Sequence, residues 1–249
     1  MTDLPRVLQQ LWGMEGPARP GPRPTFHISD IGNAAIKLAD AAGLGAVSMS
    51  KVAAELGFTT MSLYRYVDSK DELYVVMLEQ AFGAPVPVDP AADWRERITT
   101  WAVAFRDGLR RHPWVLQVPV VEPPLSPLQL EWMENGLRAF EETELTPAES
   151  LSAMLLVNIY VRGTGALTVG APQGTQKVSE ANQLYVQRLA MLADPDRFPT
   201  IAGNLRSRPA EDFDVDYDAD EFFFGLNAVL DGIEAMITRR GGKPSTARA

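Results

Sequence analysis

Between Ser48 and Lys70 the chain gathers side chains able to hold a polyanion and read hydrogen-bonding edges: Ser50, Lys51, Thr59, Thr60, Met61, Ser62, Tyr64, Arg65, Tyr66 and Lys70. Hydroxyls, phenols and a guanidinium in that density suit the phosphate oxygens, base edges and thymine methyls of a DNA duplex. Local charge favours the same target, since Ser48–Lys70 sets Lys51, Arg65 and Lys70 against Glu55 and Asp68. Two short helices must position this group. Ser48 can cap the first, which carries Val52, Ala53 and Leu56 and stops at Gly57; Thr59 can cap the second, which runs to about Tyr66. Helices of about two turns joined by a tight turn are how a helix-turn-helix presents its second helix to a major groove.

The elements on either side complete a small bundle. Ile31, Ala35, Leu38, Ala39 and Ala42 recur at helical spacing, with Ser29 as N-cap and Gly43 as stop. Asp68 or Ser69 opens a further helix carrying Leu73, Val76, Met77 and Phe82. Leu63 and Val67 then pack inward on Ile31, Leu38 and Ala42, which leaves the polar set facing out.

The run VSMSKVAAELGFTTMSLYRYVDSKDEL resembles the signature of the TetR family of transcriptional regulators: a helix ending in Ala-x-x-x-Gly, then Leu-Tyr-x-(His/Tyr)-Phe-x-x-Lys-x-x-Leu. The resemblance covers residues 28–82. It departs at Val67, where an aromatic is common, and at Ser50, where many relatives carry arginine. By that resemblance Thr59, Thr60, Met61, Ser62 and Arg65 face bases, while Ser50, Lys51, Tyr64, Tyr66 and Lys70 face phosphates. Farther along, DWRERITTWAVAFRDGLRRHPW and FFFGLNAVLDGIEAMI resemble the tetracycline-repressor-like C-terminal domain. That architecture implies a four-helix dimer interface made from two long helices per subunit, here 147–170 and 219–238. A physical reason points the same way, because both segments carry more apolar surface than one side of a monomer can bury.

The overall balance opposes a generic nucleic-acid coat protein. Net charge is −9 over 249 residues, and residues 1–82 hold 7 Lys+Arg against 9 Asp+Glu, a net of −2, so any DNA affinity has to be local. The absence of cysteine removes disulfides, thiol nucleophiles and thiolate metal sites. No apolar run approaches the roughly 20 residues that span a bilayer, so the expected location is the cytoplasm, with no membrane partner. Enzyme chemistry finds little support, and no cofactor is implied. His27 and His112 stand apart from any nucleophile motif or metal-ligand spacing. The alternation Asp212, Asp214, Asp216, Asp218, Asp220 has Tyr217 where a calcium loop needs glycine and Phe223 where it needs glutamate.

The expected fold is all-α, with about nine to ten helices. Residues 1–27 form a Pro/Gly/Arg arm, in which Arg19 and Arg23 either reach a minor groove or belong to an untethered tail. Residues 28–82 form a three-helix DNA-binding head, 88–240 a helical ligand-binding and dimerisation body, and 241–249 a disordered tail. Within the body, Trp94–Arg111, a helix from Ser126-Pro127 through Phe140, the capping-box helix from Thr146-Pro147, and Val178–Ala193 are expected helices. Trp101, Phe105, Trp132, Met133, Phe140 and Met154 are candidate walls of an effector cavity, with Asn158 and Arg162 as its polar groups. Ordinary core packing competes for each ring, and Asn158 and Arg162 could instead satisfy each other or a partner subunit. The functional expectation is a repressor that holds a palindromic double-stranded operator as a homodimer and lets go when a largely apolar small molecule binds. The alternative is a dimeric interaction module with a vestigial helix-turn-helix, answering to a protein partner.

Overall fold

The computed structural model describes residues 4–14, 26–119, 123–168, 175–207 and 217–241. Among these every regular element is helical. The N-terminal head contains α1 (Arg6–Leu11), α2 (Ile28–Ala42), α3 (Met49–Glu55), α4 (Thr60–Leu63) and α5 (Lys70–Ala81). The body contains α6 (Trp94–Arg111), α7 (Pro127–Arg138), α8 (Pro147–Thr168), α9 (Thr175–Leu192), α10 (Pro199–Ser207) and α11 (Tyr217–Arg239).

The arm expected over 1–27 is corrected at its start. Arg6–Leu11 is a helix whose Val7 and Leu8 are buried in the head's core against α5. Beyond it, Trp12 donates its indole N–H to the carbonyl of Leu125 at 2.9 Å, so this short helix touches the body as well. Arg19 and Arg23 lie outside the described residues, as do Asp212–Asp216 of the acidic alternation. The start of α2 also shifts: His27 occupies the N-cap position and its N–H donates to Asp30 at 2.7 Å, which displaces Ser29 into the helix. Helix α10 was not anticipated, and the eleven described α-helices exceed the expected count.

Ile31, Ala35, Val52, Ala53, Leu63, Val67, Leu73, Val76 and Met77 fill the head. The body is organised by α6, α8 and α11. Arg95 on α6 is buried and satisfied three ways: Asp231 at 2.7 Å, Glu234 at 3.2 Å and the Asn227 carbonyl at 3.3 Å. Tyr160 on α8 donates to the Phe222 carbonyl at 2.9 Å. Gly225 permits that approach, since a Cβ there would lie 2.3 Å from the tyrosine oxygen. The α8 cap forms as its sequence implies, with Thr146 N–H donating to Glu149 at 2.9 Å and Glu149 N–H to Thr146 Oγ1 at 3.3 Å.

Candidate nucleic-acid interface and sensing core

Three side-chain caps and one glycine build the interface. Ser48 Oγ accepts the Lys51 N–H at 3.3 Å to start α3, Thr59 Oγ1 accepts the Ser62 N–H at 3.2 Å to start α4, and Ser69 Oγ accepts the Glu72 N–H at 3.1 Å to start α5. Helix α3 ends in paired reversed bonds, Gly57 N–H to the Ala54 carbonyl at 3.1 Å and Phe58 N–H to the Ala53 carbonyl at 2.7 Å. Gly57 sits at φ +71°, in the left-handed region that glycine enters without a steric penalty. The chain therefore turns sharply, and α4 projects from the bundle on the inward anchors Leu63 and Val67, both fully buried.

The candidate contact residues differ in how far they reach the surface. Met61 is 77% exposed and Tyr64 42%; Ser50, Lys51, Thr59, Arg65 and Lys70 are exposed, and Thr60 and Ser62 half-buried. Thr59 is already engaged, because its hydroxyl caps α4 and also lies 2.9 Å from Ser62 Oγ. Tyr66 is half-buried and stacks on Phe58 with ring centroids 6.3 Å apart, so its ring supports the turn. The Lys70 ammonium stands 5.4 Å from the Tyr74 ring centre. Arg6 of α1 reaches this region from behind, donating to the Arg65 carbonyl and pairing with Asp68.

Of the cavity candidates, Trp101, Phe105, Trp132 and Met154 come together. Trp101 and Phe105 are parallel at 5.2 Å, Trp132 meets Phe105 edge-on at 5.8 Å, and the Trp101 indole donates to the Trp132 carbonyl at 2.9 Å. Met154 and Trp101 both close on Gly136, where a Cβ would meet them at 3.0–3.1 Å. Met133 is half-buried against the wider core. Phe140 is not part of it: α7 stops at Arg138, the helical phase is lost, and the ring turns to Trp94 at 6.0 Å. Asn158 and Arg162 are half-buried on α8, and the Arg162 guanidinium lies 5.5 Å from the centre of the Phe105 ring.

One residue of the cluster went unassigned in sequence. Phe82, directly after α5, stacks on Phe105 at 4.8 Å and meets Trp132 edge-on at 5.7 Å, while the Trp132 indole donates to the Gly83 carbonyl at 2.9 Å. The end of the head is thus packed into the aromatic core of the body. Polar contacts also join the same halves. Asp40 on α2 takes the Trp114 indole N–H at 2.7 Å and pairs with His112 Nδ1 at 2.8 Å. On α5, Glu79 accepts the backbone N–H of Leu128 at the start of α7.

A helix-turn-helix head whose terminal helix runs into an aromatic core defines a DNA-binding regulator with a second helical domain. The model of the bacterial regulatory proteins of the tetR family matches residues 31–77, and that of the tetracyclin repressor-like C-terminal domain matches 86–237. The HTH-type transcriptional repressor DrrR1 of Streptomyces coeruleorubidus is 34% identical over 97% of this chain and 89% of its own. The tetracycline repressor protein class E of Escherichia coli is 23% identical over 88% of this chain and 96% of its own. Among solved structures, Streptomyces coelicolor ActR in complex with actinorhodin superposes with a TM-score of 0.71 at 22% identity, over 86% of this chain and 97% of its own. The chain belongs to the TetR family of transcriptional regulators. Among the described residues no helix is long and apolar enough to cross a membrane.

Proposed function

We propose that this regulator is a homodimeric repressor that grips a palindromic operator and is released when a small organic effector enters the body between α6, α7 and α8. The observation that carries the reading is the presentation of α4: Met61 at its tip is 77% exposed, with Thr60, Tyr64, Lys51 and Lys70 around it. Nothing in the folding of the head requires an exposed methionine ringed by hydroxyls and cations; a major groove accounts for it.

Pairing is supported by the outer faces of α8 and α11. Leu156 and Ile159 on one, and Phe223 and Phe224 on the other, are exposed although α8 and α11 pack side by side. A second copy related by a twofold axis would cover this strip and offer two α4 helices to one duplex. Release follows from the shared aromatic core. An effector that moves Phe105 or Trp132 acts directly on Phe82 and Gly83, and a change in the separation of two heads defeats simultaneous docking on fixed half-sites. That ActR has been solved with a bound small molecule favours the same reading. Differential affinity for the two states is required.

The test is selection of bound duplexes from a random pool, followed by anisotropy titration across salt concentrations. A palindromic consensus whose log affinity falls steeply with log salt is the expected result. Absence of enrichment, or a flat salt response, would favour the protein-partner reading.

A further inference from the structure

Charge inside this body is neutralised with care, as the three partners of Arg95 illustrate. Arg162 is the exception that draws notice. Its guanidinium is half-buried against the ring of Phe105, and among the described residues it makes no hydrogen bond or ion pair. Burial also pulls its pKa below the usual arginine range. An unpaired cation in apolar surroundings is costly, and a negatively charged ligand would relieve that cost. Asn158, one turn earlier, is likewise without a hydrogen-bond partner among the described residues, so the two do not satisfy each other.

The surroundings specify what could complete the site. Leu151, Leu155, Asn158 and Arg162 follow one another along one edge of α8 at helical spacing, and the two leucines are 47% and 51% exposed. The edge therefore combines an apolar wall, an amide and a cation seated over an aromatic ring. We propose that the effector is an organic anion: an aromatic or otherwise apolar acid whose carboxylate, phenolate or sulfonate pairs with Arg162 while its hydrocarbon part lies along Leu151, Leu155 and the Phe105 cluster. This rests on the effector-released reading and sharpens it, from a largely apolar ligand to one carrying a negative charge. The guanidinium is a specificity determinant, rejecting neutral analogues by leaving itself unpaired.

The test uses the full-length protein and two fluorescent dyes that share one skeleton: anilinonaphthalene sulfonate, which is anionic, and phenylnaphthylamine, which lacks the sulfonate. The wild type is expected to bind the anionic dye about tenfold more tightly than the neutral one, with Arg162→Met removing that preference and leaving the neutral dye within about twofold, the scale of one charge-assisted pair. Arg162→Lys, which keeps the charge, should fall between. Asn158→Trp, a bulky change at a half-exposed position, should exclude both dyes. If it excludes both while Arg162→Met binds each dye as the wild type does, the sensing site stands and the anion inference falls. If Asn158→Trp leaves both dyes bound, or the wild type binds neither, the site itself is misplaced and the inference falls with it.

Discussion

Both carboxylate oxygens of Glu79 accept the backbone N–H of Leu128, at 3.0 and 3.1 Å, so a side chain from the last helix of the head caps the first turn of α7. The first N–H groups of a helix lack intrahelical partners and carry partial positive charge, which a buried carboxylate satisfies well. Ser126 holds the N-cap position, yet its hydroxyl makes no cap bond. Glu79→Ala should therefore lower stability by about 1–2 kcal/mol, the usual range for losing a cap. Urea unfolding monitored by circular dichroism measures this, and an unchanged midpoint would mean that water serves Leu128 equally well.

Phe82 occupies the space that a side chain at Gly108 would need, with two ring carbons 2.1 and 2.3 Å from an ideal Cβ. Gly108→Ala has to displace the ring, and overpacking of this kind costs about 1–3 kcal/mol. Because the ring joins head to body, operator affinity and effector response should change along with stability. Adding Phe82→Leu should restore part of the loss, a coupling that a double-mutant cycle reads directly.

In the head, two kinds of contact separate by their salt and sequence dependence. Lys70→Ala should weaken binding to all duplexes and reduce the salt slope by about 1 for each copy that contacts a phosphate. Thr60→Ala should relax preference at particular base pairs while leaving the slope in place. Anisotropy titrations on matched and single-mismatch duplexes distinguish them, and identical behaviour of the two variants would contradict the division of labour.

Leu156→Glu combined with Phe224→Glu places charge on the exposed strip of α8 and α11 without touching the monomer core. Multi-angle light scattering at micromolar concentration should then report the 27.3 kDa monomer, against twice that mass for the parent. A parent that is itself monomeric would remove the dimer from the proposal.

Glu149 is held below the ordinary glutamate pKa, chiefly by the Thr146 backbone and side-chain hydrogen bonds and then by Arg240. A depressed folded-state value means that its contribution is fully present above the unfolded pKa of roughly 4.3 and is lost as pH falls through the lower folded value. Wild type and Glu149→Gln should consequently differ most near neutrality and converge on acidification below about pH 4. Denaturation midpoints across that range provide the check; a difference that widens in acid would reverse the sign of the argument.

Much of the head was legible because its signals are local. Ser48, Thr59 and Ser69 each fix a helix start within one turn, Gly57 fixes the reversal, and Leu63 and Val67 orient the exposed face. The first helix escaped notice because six residues with two buried side chains carry no usable periodicity beside so many prolines. Helix α10 had one readable sign, Pro199 at its first position, which is easily mistaken for loop punctuation. The aromatic core was legible in composition more than in arrangement. Trp101, Phe105 and Trp132 meet because α6 and α7 present them to each other, whereas assigning Phe82 required knowing that Gly108 leaves a gap, and losing Phe140 required knowing where α7 ends. Glu79 reads in sequence as one more charged residue in a helix, since its partner lies 49 positions away.

The short helix at the start of the chain has a practical bearing on how the protein is handled. Its Arg6 donates to the Arg65 carbonyl just beyond α4, and Trp12 holds the Leu125 carbonyl of the body. A purification tag or reporter joined ahead of Met1 would lie within a few residues of the first of these contacts, so DNA titrations on such a fusion call for a tag-free control.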